Sequence, residues 1–320
     1  MALPAAAETL RIATYNTELS RAGPGLLLRD IQRGGDAQVD AVIGVVAAAA
    51  PDVMVLQGID YDLERAALHA FAEAIVKGGG PDYPHRFALP SNAGLATDFD
   101  LDGDGRKGGP GDAQGYGEFF GAGAMAILSR HPVISEHLRD FSALRWVDLP
   151  GAIPPKVDGT PFPSAAALDI QRLSSRGHWV VPIEVPHFGR IDLLTFHAAP
   201  PVFDGPEDRN GRRNHDEIRF WNLFLDGEFG PPPHERFILL GDANLDPHRG
   251  AGRRAAIAAL LVHPALQDPM PDIPTVTWDQ TGPMRVDYLL PSKTLTVLRT
   301  GQGSNPAASR HTLIWADLTR

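Results

Sequence analysis

The chain has 320 residues, 43% of them hydrophobic, which is enough for a sizeable core, and no apolar run of about 18 residues that would span a membrane. Cysteine is absent, which excludes disulfides, thiol catalysis and thiolate metal sites. The net charge of −10 disfavours broad, sequence-independent binding to nucleic acid, unless a local basic cleft or a bound divalent ion reverses the repulsion.

Met1–Glu8 is small and apolar and fits the end of a secretory signal with an A-x-A site. A periplasmic or secreted location is expected on that reading, and a cytoplasmic one otherwise. Residues 1–9 are expected to be a flexible tail, and 10–320 a single domain with an acidic loop insertion over 90–117. Leu10–Tyr15 alternates like a strand and runs into Asn16-Thr17-Glu18, where two polar groups stand two residues apart. Val39–Ala50 has helical spacing and is ended by Pro51. Asp52–Gln57 reads as a buried strand that delivers Gln57 and then Asp60 to its end, and Leu63–Val76 as an amphipathic helix closed by Gly78-Gly79-Gly80.

Inside the 90–117 loop, Asp100, Asp102, Asp104 and Gly105 match the start of a D-x-D-x-D-G calcium loop, with Asp112 at the thirteenth position in place of a Glu at the twelfth. A structural Ca2+ held by Asp100, Asp102, Asp104 and Asp112 is expected; no helix pair flanks the loop, so it is not an EF-hand. A solvated acidic loop is the plainer reading. Gly123–Leu128 is a strand, and residues 140–177 are rich in loop. Trp179–Val185 and Ile191–Phe196 are strands, the second ending in His197. The polar stretch Asp204–Glu217 leads into a helix over Glu217–Leu225, and its Arg209, Arg212 and Arg213 suggest a local basic patch. A short helix covers Arg254–Leu261. Val286–Pro291 and Leu313–Leu318 are strands, the latter preceded by Ser309-Arg310-His311.

The stretch Phe237–Asn244 focuses the reading. Four apolar residues make a buried strand, a Gly follows, and Asp242 and Asn244 stand two apart. If the extended backbone continues, both side chains point the same way and suit a metal-bound water and a phosphate oxygen. The alternative is an Asx turn that caps a loop. Strand ends thus supply Asn16, Glu18, Asp60, His197, Asp242, Asn244, Asp287 and His311. If they share one site, the first and last strands are neighbours.

Taken in order, Ala13-Thr14-Tyr15-Asn16, Asp52–Gln57, Ala126–Arg130, Thr195-Phe196-His197, Gly241–Asn244, Thr277-Trp278 with Arg285–Tyr288, and Ser309-Arg310-His311 resemble the endonuclease/exonuclease/phosphatase superfamily of DNase I-like proteins, as a divergent member. The resemblance implies a four-layer α-β-β-α sandwich of two mostly antiparallel sheets with outer helices. It implies a metal-dependent phosphoester hydrolase, expected to be a phosphodiesterase acting by in-line attack of an activated water. Asp242 would activate the water, Asn244 would hold a phosphate oxygen, and His311 with Asp287 would stabilise the phosphoryl charge or move a proton. His197 would bond the phosphate or act as acid, and Asn16, Arg310 and Arg212 would bind the phosphate. Mg2+ or Mn2+ would be held by Asn16, Glu18 and Asp60.

Two positions depart from the pattern. Gly58 stands where the family has its metal-ligating Glu, and Arg310 where it has an Asp. Asp60, of the same strand parity as Gly58, and Glu18 are expected to compensate, and Arg310 to grip a phosphate through its planar fork. The substrate is expected to be a nucleic acid, a phospholipid headgroup or a small phosphoester, with nucleic acid disfavoured by net charge, and the protein a monomer. The alternative is a non-catalytic module that binds phosphate or a partner and has lost the metal Glu.

Overall fold

Strands such as Asp52–Gln57 and Phe237–Leu240 are apolar on consecutive residues, so both of their faces need cover. The computed structural model, which describes residues 8–320, provides it with two stacked sheets and outer helices. The signal remnant expected over Met1–Glu8 lies, but for Glu8, outside the described residues. In chain order come β1 (Leu10–Asn16), α1 (Leu26–Arg33), α2 (Ala37–Ala49), β2 (Val53–Ile59), α3 (Ala66–Lys77), β3 (His85–Phe87) and β4 (Ala124–Ser129). Then follow β5 (Arg139–Asp140), β6 (Lys156–Val157), β7 (Thr160–Pro161), α4 (Ala165–Ile170), β8 (His178–Val185), β9 (Gly189–His197) and α5 (Arg209–Leu225). The chain closes with β10 (Phe237–Asp242), α6 (Ala255–Leu261), β11 (Val276–Trp278), β12 (Gly282–Met284), β13 (Asp287–Pro291), β14 (Thr296–Gly303) and β15 (Leu313–Thr319).

One sheet has six strands in the order β14-β15-β1-β2-β4-β3, the other five in the order β13-β10-β9-β8-β5. Each holds one parallel pair, β1 with β2 and β10 with β9, and is otherwise antiparallel. Chain start and chain end meet in the register Leu10↔Leu318.

Period-2 alternation sorts the strand residues into three cores. Ile12, Val53, Val55 and Ile127 from the first sheet meet Val181, Leu193, Ile238 and Leu240 from the second, between the sheets. The intervening residues Ala13, Tyr15, Met54 and Leu56 face Val42, Val46, Phe71 and Ile75 of α2 and α3. On the far side Leu194, Phe196, Leu239 and Leu290 face Ile218, Trp221, Phe224, Ile257 and Leu260 of α5 and α6. Truncating one of these large side chains to Ala costs about 2–5 kcal/mol, through lost transfer energy and the cavity left. This is the α-β-β-α sandwich implied by the resemblance. Among the described residues no helix is long and apolar enough to cross a membrane.

Several local expectations change. Helix α5 begins at Arg209, eight residues before the expected start, because its inward N-terminal face is polar: Arg213, Asn214, Asp216 and Glu217 are all buried. Helix α1 and strand β14 were not expected. The first is a single short amphipathic stretch after a Gly-Pro-Gly turn, and the second is a mostly exposed edge strand recruited by pairing with β15. The loop-rich 140–177 region contains α4 and the small β6–β7 hairpin.

Candidate active site

Strand register builds the site. Asp242, last residue of β10, stands opposite Asp287 on β13 and opposite His197 on β9. Directly opposed residues share a face. Leu240 of β10 lies in the inter-sheet core, so Asp242, two residues on, also points between the sheets. On β1, Ile12 points into the same core, and Asn16, four residues on, shares its face. The two sheets therefore bring Asn16 and Asp242 together, and Asn16 Nδ2 donates to Asp242 Oδ2 at 2.8 Å. Gly241 is needed for this: a Cβ there would lie 2.1 Å from the Phe196 carbonyl oxygen of the neighbouring strand.

His311 reaches the cluster from the turn before β15. Its Nδ1 donates to Asp287 Oδ2 at 2.9 Å, and the edge of its ring meets Trp278 with centroids 5.6 Å apart. Ser309 anchors that turn, donating through Oγ to the Asn16 carbonyl and accepting from the His311 amide. Asn244 sits at φ 50, a left-handed conformation that Asn tolerates. Its backbone N–H donates to Asp242 Oδ1 at 2.7 Å, and its Nδ2 donates to the Ala198 carbonyl at 3.0 Å and lies 3.3 Å from Asp242 Oδ2. The extended backbone assumed for this stretch thus does not continue. The Asx turn forms, and the same Asp242 carboxylate also sits in the cluster. His197 Nε2 lies 3.4 Å from Asp242 Oδ2.

Burial and neighbouring charge together set the protonation of these groups. Asp242 is fully buried, and desolvation together with the Asp287 charge pushes its carboxyl up to about 7. Burial opposes charge on His311, but Asp287, Asp242 and Glu18 outweigh it and raise the imidazole to about 9. Burial, aided by the charges of Arg176 and His311, holds His197 well below its ordinary value and therefore neutral. At neutral pH the cluster holds one imidazolium, one neutral imidazole and a carboxyl near its midpoint. Cationic His311 is a donor at both nitrogens and Asn16 Nδ2 is a donor too, so their 3.5 Å approach is not a hydrogen bond and leaves Nε2–H for a ligand.

Not every expected residue joins. Gly58 is the extra residue of a bulge between the pairs Gln57↔Met125 and Ile59↔Ala124, with φ 70. The bulge breaks the strand parity on which Asp60 was expected to reach a metal. Asp60 instead accepts from Ser20 Oγ at 2.6 Å and from the amides of Arg21 and Gly123, pinning the loop after β1. A Cβ at Gly58 would lie 2.4 Å from Asn16 Oδ1 and 2.9 Å from the Glu18 amide. A side chain there would strain the backbone and require Asn16 Oδ1 and the Glu18 backbone to shift.

Glu18 is committed too. Its Oε1 accepts from Arg310 Nε at 2.9 Å and from Nη2, while Oε2 accepts from the Arg310 amide at 2.8 Å and Ser309 Oγ at 3.1 Å. A divalent ion of the Mg2+ type needs anionic oxygens free to turn to it. Asn16, Glu18 and Asp60 do not offer such a set. Among the described residues, the groups whose ligand atoms converge within 4.8 Å are Asp242–Asp287–His311 and Asp100–Asp102–Asp112. The first is the hydrogen-bonded cluster above, with a cationic imidazole as one member.

The second group brings three of the four expected loop carboxylates together, and Asp104 is exposed outside it. Asp100 accepts from the amides of Gly103 and Gly105, and buried Asp112 from those of Leu101 and Gly109. Slight burial and the charges of Asp104, Asp112 and Asp100 raise the Asp102 carboxyl.

Arg212 stands apart from the cluster, donating to the carbonyls of Glu207 and Ile153. Arg213 is buried and spends its guanidinium on the carbonyls of Gln114, Arg172, Leu173 and Ser174. The expected basic patch is thus used internally. Sequence reasoning missed the braces beside it. Glu217 accepts from the amides of Ser175 and Ala199, and Asn214 Nδ2 donates to the carbonyls of Ala199 and Ala243, so α5 fixes the turns that follow His197 and Asp242. The dense polar run before the helix was their only signal.

The fold places the chain among known proteins. A crystal structure of an endonuclease/exonuclease/phosphatase from Beutenbergia cavernae DSM 12333 is similar with a TM-score of 0.62 and 17% identity, over 97% of this chain and 71% of that one. Sphingomyelinase C from Streptomyces griseocarneus is similar at 0.51 and 17%, over 97% and 99% of the two chains. A mannosyl-6-phosphatase from Bacteroides thetaiotaomicron VPI-5482 is similar at 0.53 and 14%, over 97% and 100%. No curated protein matches the chain. The sequence profile of the Endonuclease/Exonuclease/phosphatase family matches residues 13–311, spanning every strand-end residue of the cluster, and the chain belongs to that family.

Proposed function

We propose that the protein is a phosphoester hydrolase, with phosphodiesters as its substrate class, acting by in-line attack of water. One observation carries this reading: Asp242 and His311 are brought to one point from opposite sheets and both raised, to about 7 and about 9, so that between those values a carboxylate able to take a proton stands beside an imidazolium able to give one. That is the arrangement an acid–base pair needs. Asp242 takes the proton of the attacking water as its oxygen bonds to phosphorus. Asn16 and the Asn244 amide hold the carboxylate by one oxygen each. His311, fixed by Asp287, points its Nε2–H at the phosphoryl group and supplies the proton that the leaving oxygen takes as the P–O bond breaks. Neutral His197 bonds a phosphoryl oxygen. The small or lipid-derived substrates suggested by the acidic surface gain support from the internal use of Arg212 and Arg213, which leaves no basic stripe for DNA on α5.

The test is hydrolysis of bis(p-nitrophenyl) phosphate beside the p-nitrophenyl monoester by wild type, Asp242→Asn and His311→Ala. The expected result is turnover of the diester that falls at least about 10³-fold in either variant, since proton transfer and charge stabilisation each supply several orders of magnitude, with the melting temperature kept. Full turnover in Asp242→Asn would overturn the assignment of the base. The second reading, a binding module without activity, draws on the lack of an acidic side chain at Gly58, and it requires phosphate binding with no turnover of any phosphoester.

A further inference from the structure

We propose that the guanidinium of Arg310, held by Glu18 and lying on Trp278, is the fixed cation that receives the phosphoryl charge at this site, in the place of a divalent ion. The inference rests on the phosphoester reading above and deepens it. Phosphoryl transfer needs positive charge at the phosphoryl oxygens as it develops. The place to look for it is beside Asn16 and His311, and there the chain supplies a guanidinium rather than free carboxylates.

Four observations converge. First, Gly58 leaves the adjacent strand end without an acidic side chain, and a Cβ there would lie 2.4 Å from Asn16 Oδ1. Second, both oxygens of Glu18 are spent on Arg310 and Ser309, and Glu18 adopts φ 50, a left-handed conformation that a Glu rarely takes, in order to face them. Third, the guanidinium carbon of Arg310 lies 4.5 Å from the Trp278 ring centroid, and that same ring meets His311 at its edge. One aromatic platform therefore orients both positive groups. Fourth, Glu18 uses Nε and one N–H of Nη2, and among the described residues no acceptor is bonded to Nη1. The fork left over carries parallel N–H groups, the geometry that takes two phosphate oxygens at once. The Arg310 side chain is 63% exposed, so that fork is open to solvent and ligand, while Glu18 behind it is only 22% exposed. An ordinary surface ion pair would leave both partners mobile; here four donors and a ring fix the pair.

The covalent balance is that of the proposed hydrolysis. Water oxygen bonds to phosphorus, its proton goes to Asp242, the P–O bond breaks with its electron pair on the leaving oxygen, and that oxygen takes a proton from His311. Arg310 keeps its proton throughout and offsets the charge on the non-bridging oxygens.

The experiment measures binding of inorganic phosphate by titration calorimetry to metal-stripped protein in EDTA, and again with Mg2+ or Mn2+ added, for wild type, Arg310→Gln and Arg310→Lys. The expected result is binding in EDTA that metal does not strengthen, weakened at least about 10-fold in Arg310→Gln by loss of charged hydrogen bonds and less in Arg310→Lys. A second arm follows hydrolysis of the diester in EDTA, where wild type should retain turnover and Arg310→Gln should lose about 10²-fold or more. Phosphate binding that requires the metal, or that Arg310→Gln leaves unchanged, overturns the proposal. Turnover abolished by EDTA and restored by Mg2+ equally in wild type and Arg310→Gln also overturns it while leaving the hydrolase reading intact. Turnover kept in Asp242→Asn overturns the assignment of the base instead, and no turnover of any phosphoester by wild type overturns the hydrolase reading.

Discussion

Replacing Asp287 by Asn tests the logic of the site most sharply, because it removes one charge and keeps shape. Asp287 holds His311 Nδ1 at 2.9 Å, and its charge is the main force raising the imidazole to about 9 against the burial that lowers it. Without that charge, burial is opposed only by Asp242 and Glu18, and the imidazole falls back toward its ordinary 6.5. At pH 8 the cationic fraction then drops from about 0.9 to about 0.03, a loss of about 30-fold in rate, whereas at pH 6 the loss from this source is under about 2-fold. The assay is kcat/KM against pH for a phosphodiester. Wild type should give a bell with limbs near 7 and 9, set by Asp242 and His311 as a coupled set. In Asp287→Asn the upper limb should move below about 7. The lower limb should move down with it, since the Asp287 charge also raises Asp242. Stability gives an independent check. The folded value of His311 lies above its ordinary one, so the pair's contribution is full below pH 6.5 and is lost as pH rises through about 9. The difference in melting temperature between wild type and Asp287→Asn should therefore be widest in acid and should shrink toward pH 9. An unchanged upper limb would refute the claim that Asp287 sets the charge of His311.

Further substitutions probe the two expected cation sites. Gly58→Glu should destabilise the protein by at least about 1–2 kcal/mol, the cost of a left-handed conformation for an L side chain, before the overlap with Asn16 Oδ1 is counted; denaturant unfolding measures this, and an unchanged midpoint would show that the strand end has room. Ca2+ added to chelator-treated protein should raise the melting temperature by relieving the crowded carboxylates of Asp100, Asp102 and Asp112, and the double replacement Asp100→Ala with Asp102→Ala should remove the rise. No calcium effect in the parent protein would leave the acidic loop a solvated one.

Helix α5 shows where reading from sequence stops. Its C-terminal half has an apolar face and was legible, but Arg213, Asn214, Asp216 and Glu217 turn inward with a polar face, and polarity reads as loop unless the partners are known. Those partners are mostly backbone groups of residues 114 to 243, with the Trp146 indole on Asp216, and most are distant in sequence. Asp60 makes the same point in a strand. Counting by two from Gly58 assumes an unbroken ladder, and a single bulged glycine with φ 70 invalidates the count.

The sequence by itself determined the buried strands and, through its resemblance to the family, the sandwich; it put Asn16, His197, Asp242, Asn244, Asp287 and His311 in one site, where the structure brings them together, but also Asp60 and Arg212, which lie apart. Buried strands are short, apolar and ended by polar residues, and that local pattern repeats at Asn16, His197 and Asp242 whatever surrounds it. Only the tertiary structure decided which of those residues meet and what surrounds them. Protonation and charge depend on distances across the two sheets. Asp242 is raised because it is buried beside Asp287, His311 is cationic because Asp287 reaches its Nδ1, and Glu18 faces Arg310 because the turn before β15 lands on the end of β1. None of these separations is a property of neighbours along the chain.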